Sequence, residues 1–139
     1  MHLEDIQRMW EKDSVIDDIL LDEEALKIPR LHAKYISIYN DYKLLMIKGQ
    51  QELKTVKHHR WLYYTGKHVP EDSEPFLYKI TRGEAPNWVS VDEKVLKVEG
   101  KIEYYETVLH NLSEILRQIN NRNYVIKNAI EWRRFSQGG

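Results

Sequence analysis

The chain has 139 residues, enough for one domain with a modest core, and its formal net charge of −1 names no partner. It has no cysteine, which excludes disulfides, thiolate metal sites and a cysteine nucleophile and fits a reducing compartment. The opening MHLEDIQRMWEKD is too acidic for a signal peptide, and no stretch reaches the roughly 18 apolar residues of a membrane span, so a soluble protein is expected.

Leu3, Ile6 and Trp10 stand at helical spacing and predict a short first helix over residues 3–12. The segment after it is strongly acidic and reads as a linker; residues 1–24 carry nine acids against Arg8 and Lys12. Leu31, Tyr35, Ile38, Tyr42 and Leu45 then recur three and four apart, and a neighbouring stripe runs through Met46, Leu53 and Val56. Together they predict one long helix from about 29 to 65, with Pro29 in its first turn and Gly66 at its end. At 1.5 Å per residue such a helix is roughly 50 Å long and needs a long partner.

Residues 66–90 hold Gly66, Pro70, Pro75, Gly83 and Pro86 and read as a loop, with FLYKI (76–80) a short element of undecided type. Ser90 and Glu93 have the spacing of a capping box that opens the second arm. Val95, Val98, Ile102, Tyr105, Leu109, Leu112, Leu116 and Ile119 follow at alternating steps of three and four. That 3.5-residue period is the pattern of a coiled-coil seam, with its partner either within the chain or in another copy; a broader stripe would mean an ordinary core-facing helix. Gly100 lies off the seam. NNRN (120–123) predicts a break, with Asn123 capping a last helix over about 124–135. That helix carries Val125, Ile126, Ala129, Ile130, Trp132 and Phe135 and asks for a surface to cover it, such as a neighbouring subunit. This end of the chain, residues 117–134, is basic as well, through Arg117, Arg122, Lys127, Arg133 and Arg134 against Glu131.

No signature of catalysis is present: there is no phosphate-binding glycine loop, no nucleophile elbow and no zinc-binding helix. His58 and His59 are adjacent, so on a helix they diverge by about 100° and do not chelate one ion. No metal, no cofactor and no enzyme activity is expected. One stretch does suggest a ligand. LKTVKHHRWLYYTGK (53–67) sets Lys54, Lys57, Arg60 and Lys67 beside Trp61, Tyr63 and Tyr64, with Lys57, Trp61 and Tyr64 on one helical face. A cationic track with aromatic rings is how proteins hold single strands. The same residues also suit a solvated helix end whose aromatic side chains belong to a core.

The chain resembles the UvsY family of recombination mediators from T-even-like phages, along its whole length. The likeness rests on LEDI (3–6), Ile16–Asp17, Lys54, Arg60, YYTG (63–66) against a family Y-Y-S-G, DEKVLKVE (92–99), Ile126–Lys127, and Arg133 or Arg134 with Phe135. It implies an all-α fold of long helices with a coiled-coil-like C-terminal arm, assembled as a homo-oligomeric ring of six or seven subunits. It also implies binding of single-stranded DNA and loading of a RecA-like phage recombinase in place of the phage single-strand-binding protein. The setting would be the cytoplasm of the infected host cell, with no membrane partner and no catalysis.

The family's DNA-binding motif has the form L-K-A-R-L. Its arginine falls on Arg60, but its lysine falls on His58, and an imidazole carries less charge than an ammonium at pH 7. Lys57, one position away, is the natural substitute. The resemblance therefore points to Lys54, Lys57, His58, Arg60, Trp61, Tyr63, Tyr64 and Lys67 for DNA. It points to Ile102, Tyr105, Leu109, Leu112, Leu116, Ile119, Ile126 and Ile130 for assembly. The chain then divides into a DNA-binding part (1–66), a loop (67–90) and an oligomerisation part (91–139). The competing readings are a helical scaffold or adaptor that binds only protein partners, and a membrane-surface protein using the basic last helix.

Overall fold

The computed structural model describes residues 1–138, which form five α-helices and, among the described residues, no strand. They are α1 (Leu3–Asp13), α2 (Leu21–Leu26), α3 (Ile28–Tyr64), α4 (Ala85–Ser90) and α5 (Glu93–Ser136). The two long predicted helices are there, and the first helix ends one residue later than expected. Three expectations need correction. The acidic linker contains α2, the 67–90 loop contains α4, and NNRN lies inside α5 without breaking it.

Each correction has a physical reason. α2 forms because Leu21 is buried and Glu24 turns inward to an ion pair. It is separate from α3 because Pro29 lacks an N–H and restricts the residue before it. α4 carries Pro86 in its first turn, where the missing N–H costs nothing, and buries Ala85 and Val89. α5 continues through the asparagines because Ile119, Arg122 and Ile126, three and four apart, all face inward; packing overrides weak propensity.

The chain forms two compact units, and the first is not a consecutive run. It comprises Met1–Tyr42 and the part of α5 from Val108. Its core is Ile6, Leu21, Tyr35, Val108, Leu112, Ile115, Ile119 and Ile126. Trp10 meets Tyr35 edge-on at 5.5 Å, and the Tyr35 hydroxyl donates to Asp13 Oδ2 at 2.8 Å. Arg122 is 4% exposed and gathers the turn after α1: its Nη1 donates to the Asp13 carbonyl, and its Nη2 to the Val15 carbonyl and to Glu24 Oε2 at 3.1 Å. Its Nε is buried without a partner among the described residues.

The second unit is Lys43–Thr107, with Met46, Ala85, Val89, Val95, Val98 and Ile102 as its core. Gly49 permits a close approach here: a Cβ on it would stand 3.1 Å from Ile102 Cγ1. α3 ends as predicted on Gly66, at φ +73. The Lys67 N–H donates to the Leu62 carbonyl and the Gly66 N–H to that of Tyr63, the bond pair of a Schellman cap.

The buried row of α5 is broader than a 3.5-residue seam. Beyond Ile102 it takes in Val108 as well as Leu109, and it passes through Ile115 while Leu116 is only half-buried. A straight helix drifts from a heptad in this way.

Candidate nucleic-acid interface

The last turns of α3 carry the residues singled out for DNA. Lys54, Lys57 and His58 are exposed there, and Trp61 is half-buried. Lys57, His58 and Trp61 line one side of a groove of about 380 Å³, with Pro86, Val89 and Ser90 of α4 and Glu99 of α5 around it. Lys57 Nζ stands 3.9 Å from Glu99 Oε1; both side chains are well exposed, and such a pair holds the ammonium only weakly. Lys67, just past the cap, places its ammonium 4.8 Å from the centre of the Trp61 ring. This edge of the helix thus offers positive charge around one aromatic ring.

Arg60 does something else. Its Nε donates to Asp92 Oδ2 at 2.8 Å, and the two side chains are only 12% and 5% exposed. Its guanidinium lies 4.3 Å from the Tyr63 ring centre and 5.4 Å from that of Tyr64. The Tyr64 hydroxyl donates to the same Asp92 Oδ2 at 2.7 Å. The other carboxylate oxygen accepts the backbone N–H groups of Lys94 (2.9 Å) and Val95 (3.3 Å), so Asp92 is the N-cap of α5. Burial opposes ionisation of Asp92, but the bonds from Tyr64 and Arg60 outweigh it and hold the carboxyl below its ordinary range. The expected Ser90–Glu93 box does not form, because Asp92 occupies the cap and the Ser90 hydroxyl donates to the Asn87 carbonyl.

Tyr63 and Tyr64 also look inward, to the loop. The Tyr63 hydroxyl donates to the Glu74 carbonyl at 2.8 Å. Phe76 meets Tyr64 edge-on at 4.8 Å, Trp88 lies 5.1 Å from Phe76, and Tyr78 stacks on Trp88 at 5.8 Å with 24° between the planes. FLYKI is therefore neither helix nor strand but the anchor of an aromatic cluster. On the other flank of α3, His59, Arg60, Leu62, His68 and Lys94 border a second groove of about 460 Å³. Among the described residues, no three His, Cys, Asp or Glu side chains are grouped so as to hold a metal, and no helix is long and apolar enough to cross a membrane.

The family model described as "Recombination, repair and ssDNA binding protein UvsY" matches residues 9–139. The chain belongs to the UvsY family. The "Recombination protein uvsY" of Enterobacteria phage T4 is 30% identical over 139 residues, 99% of each chain. The crystal structure of the bacteriophage T4 recombination mediator protein UvsY in lattice type IV matches at a TM-score of 0.88 and 29% identity, over 97% of this chain and 99% of that one. Lattice type II of the same protein gives 0.87 and 28%, over 99% of this chain and 98% of that one.

Family membership and the all-α fold thus stand as the residues suggested, and the family's description is one of recombination, repair and single-stranded DNA binding. The positions singled out for UvsY-type DNA binding separate into two sets. Lys54, Lys57, His58, Trp61 and Lys67 form the open edge, whereas Arg60, Tyr63 and Tyr64 tie α3 to the loop and to the start of α5. Of the positions singled out for assembly, Ile102, Leu109, Leu112, Ile119 and Ile126 are buried within this one chain. Tyr105 and Leu116 are half-buried and Ile130 is exposed. Sequence reasoning gave no such role to Asp92, Phe76, Tyr78 or Trp88. Asp92 had a signal, an Asp three residues before an apolar helical run, but Ser90 with Glu93 offered a rival cap two residues earlier.

Proposed function

We propose that the chain is a recombination mediator, holding single-stranded DNA on the edge formed by Lys54, Lys57, Lys67 and Trp61 and presenting it to a RecA-like recombinase. The observation that carries this is the exposed cationic edge around Trp61, in a chain of a single-strand-binding family. The ammonium groups neutralise phosphates and release counterions, and the Trp61 ring lends an apolar edge. Lys57 takes the place of the family's motif lysine, with His58 beside it in the same groove. Arg60 acts as a positioning residue, keeping the end of α3 and the loop in register through Asp92.

A ring of six or seven copies would set that many edges side by side, so weak single sites sum to a tight grip. The strand held in this way is constrained, which favours release of the single-strand-binding protein and entry of recombinase. Since most of the heptad residues lie in the chain's own core, assembly draws on the apolar side chains left outside, notably Val125, Ile130, Trp132 and Phe135. Titration of a fluorescent oligothymidine at several salt concentrations tests the DNA site. Replacing Lys54 and Lys57 by alanine lowers affinity and flattens the salt dependence, by about 0.7 in log–log slope for each phosphate no longer neutralised. Unchanged affinity with an unchanged slope refutes this edge as the site.

A further inference from the structure

The molecule exposes a second aromatic surface that the cationic edge does not include. Tyr78 is 68% exposed and Leu77 beside it 89%, although both follow Phe76, which is half-buried in the aromatic cluster. The segment is not loose. It is tied at one end by the Tyr63 hydroxyl on the Glu74 carbonyl, and Phe76 packs against Tyr63, Tyr64 and Trp88. Tyr78 rests on Trp88 in near-parallel stacking, and its ring centre lies 5.6 Å from that of Phe76. A large ring is thus held in a fixed plane, backed by two others, and left open to water.

The surroundings favour a base as its occupant. The loop carries no positive excess: Lys67, Lys79 and Arg82 are offset by Glu71, Asp72, Glu74 and Glu84. A charged ligand gains little there, whereas a ring gains by stacking, which needs no local charge. The phosphate-binding charge lies across α4. Pro86, Val89 and Ser90 of that helix wall the Lys57–Trp61 groove, and Trp88 of the same helix backs Tyr78. A helix is about 10 Å wide. A single strand crosses that width within a few nucleotides, well inside the ~4–16 nucleotides that single-strand-binding sites cover.

We infer that Tyr78, backed by Trp88 and Phe76, is a stacking platform for a base of the strand whose phosphates lie on Lys54 and Lys57. This deepens the proposed function and rests on it. The platform is indifferent to which base it holds, because every base has a π face.

The test compares the full chain with Tyr78→Ala, Tyr78→Trp and Lys54→Ala/Lys57→Ala on oligothymidine and on an abasic strand of the same length. Tyr78→Ala is expected to weaken oligothymidine binding about tenfold, leave the abasic strand unaffected, and keep the salt slope of the parent. Tyr78→Trp restores the affinity, and circular dichroism shows both Tyr78 variants folded at the assay temperature, with Tyr78→Ala only slightly less stable for the lost contacts with Trp88 and Phe76. Parent-like affinity of Tyr78→Ala for oligothymidine overturns the platform, as does an equal loss on the abasic strand. If the lysine variant still shows its loss in those cases, the cationic edge stands and only the platform falls. If neither variant changes binding, both fall.

Discussion

Replacing Asp92 and Arg60 separately measures what the motif arginine does. The two partners are not equivalent. Asp92 accepts from Arg60, from the Tyr64 hydroxyl and from two backbone N–H groups at the start of α5. Asp92→Ala therefore removes an N-cap worth about 1 kcal/mol and leaves a largely buried guanidinium without its counter-charge, for about 3 kcal/mol more. The total is about 4 kcal/mol, a large share of the roughly 5–15 kcal/mol typical of a domain. Asp92→Asn keeps the cap, because Asn serves as well as Asp there, and loses about 3 kcal/mol. Arg60→Ala leaves the carboxylate with three donors and a helix N-terminus, so its loss is smaller, about 2 kcal/mol.

Urea unfolding followed by circular dichroism, at one fixed protein concentration, ranks the three. The acid side gives an independent check. The Asp92 carboxyl is held below its ordinary range in the folded chain, so its stabilisation is present above the unfolded carboxylate range, near pH ~4. It is lost as pH falls through the lower folded value. Asp92→Asn flattens that part of the acid limb. The reasoning is refuted if Arg60→Ala is as stable as the parent while its DNA affinity shows a shallower salt slope. Arg60 would then be a phosphate ligand and not a strut.

Arg122→Ala should destabilise the first unit by roughly 3 kcal/mol, because Glu24, 5% exposed, is left with Lys27 alone and the Asp13 and Val15 carbonyls lose the guanidinium; Arg122→Met with Glu24→Gln should recover part of that in the same urea assay. The Glu24 carboxyl is held low, first by its hydrogen bond from Lys27, against burial, and then by that from Arg122. Its stabilisation likewise fades as pH drops below the ordinary carboxylate range, and the Glu24→Gln chain should lose that dependence. Gly100→Ala should raise stability by about 0.5–1 kcal/mol, since Gly100 is an exposed helix-interior residue and a Cβ there meets nothing within 4 Å; an unchanged urea midpoint would contradict this. In the proposed ring, Trp132→Glu with Phe135→Glu should lower the native mass by light scattering without changing the helical signal, because both rings are exposed on the single chain and stack on each other.

The sequence was most legible where one period or one residue type has one physical meaning. The long helix α3 and its terminating Gly66 are of that kind and lie where expected, although Leu45 of the α3 stripe is exposed and the buried row of α5 drifts off its heptad. It was least legible where a distant partner decides. Nothing local tells that Glu24 turns inward, since its partner Arg122 lies 98 positions away. NNRN reads as a break for the same reason: Arg122 looks like a surface charge until Asp13, Val15 and Glu24 are assembled around it. The loop aromatic residues escaped because Phe76, Tyr78 and Trp88 follow no helical or strand period. Only the fold brings Phe76 and Trp88 onto Tyr63 and Tyr64, and Tyr78 onto Phe76 and Trp88.

The site shows the same division at the scale of single residues. The stretch 53–67 reads as one cationic and aromatic surface because its residues are adjacent in sequence. On the helix they face two ways. Lys54, Lys57, Trp61 and Lys67 turn to solvent or to its edge, whereas Arg60 and Tyr64 turn to Asp92. A guanidinium suits the inner role better than an ammonium: it bonds a carboxylate and stacks on tyrosines at once. Mobile, strongly hydrated ammonium groups suit the outer role proposed for them, in which phosphates would slide and exchange. Keeping arginine at position 60 while a histidine replaces the nearby lysine therefore has a consistent physical reading. The arginine has geometric duties that a lysine at 60 would not fulfil, whereas in the proposed DNA site the charge that His58 lacks would come from Lys57, one residue away in the same groove.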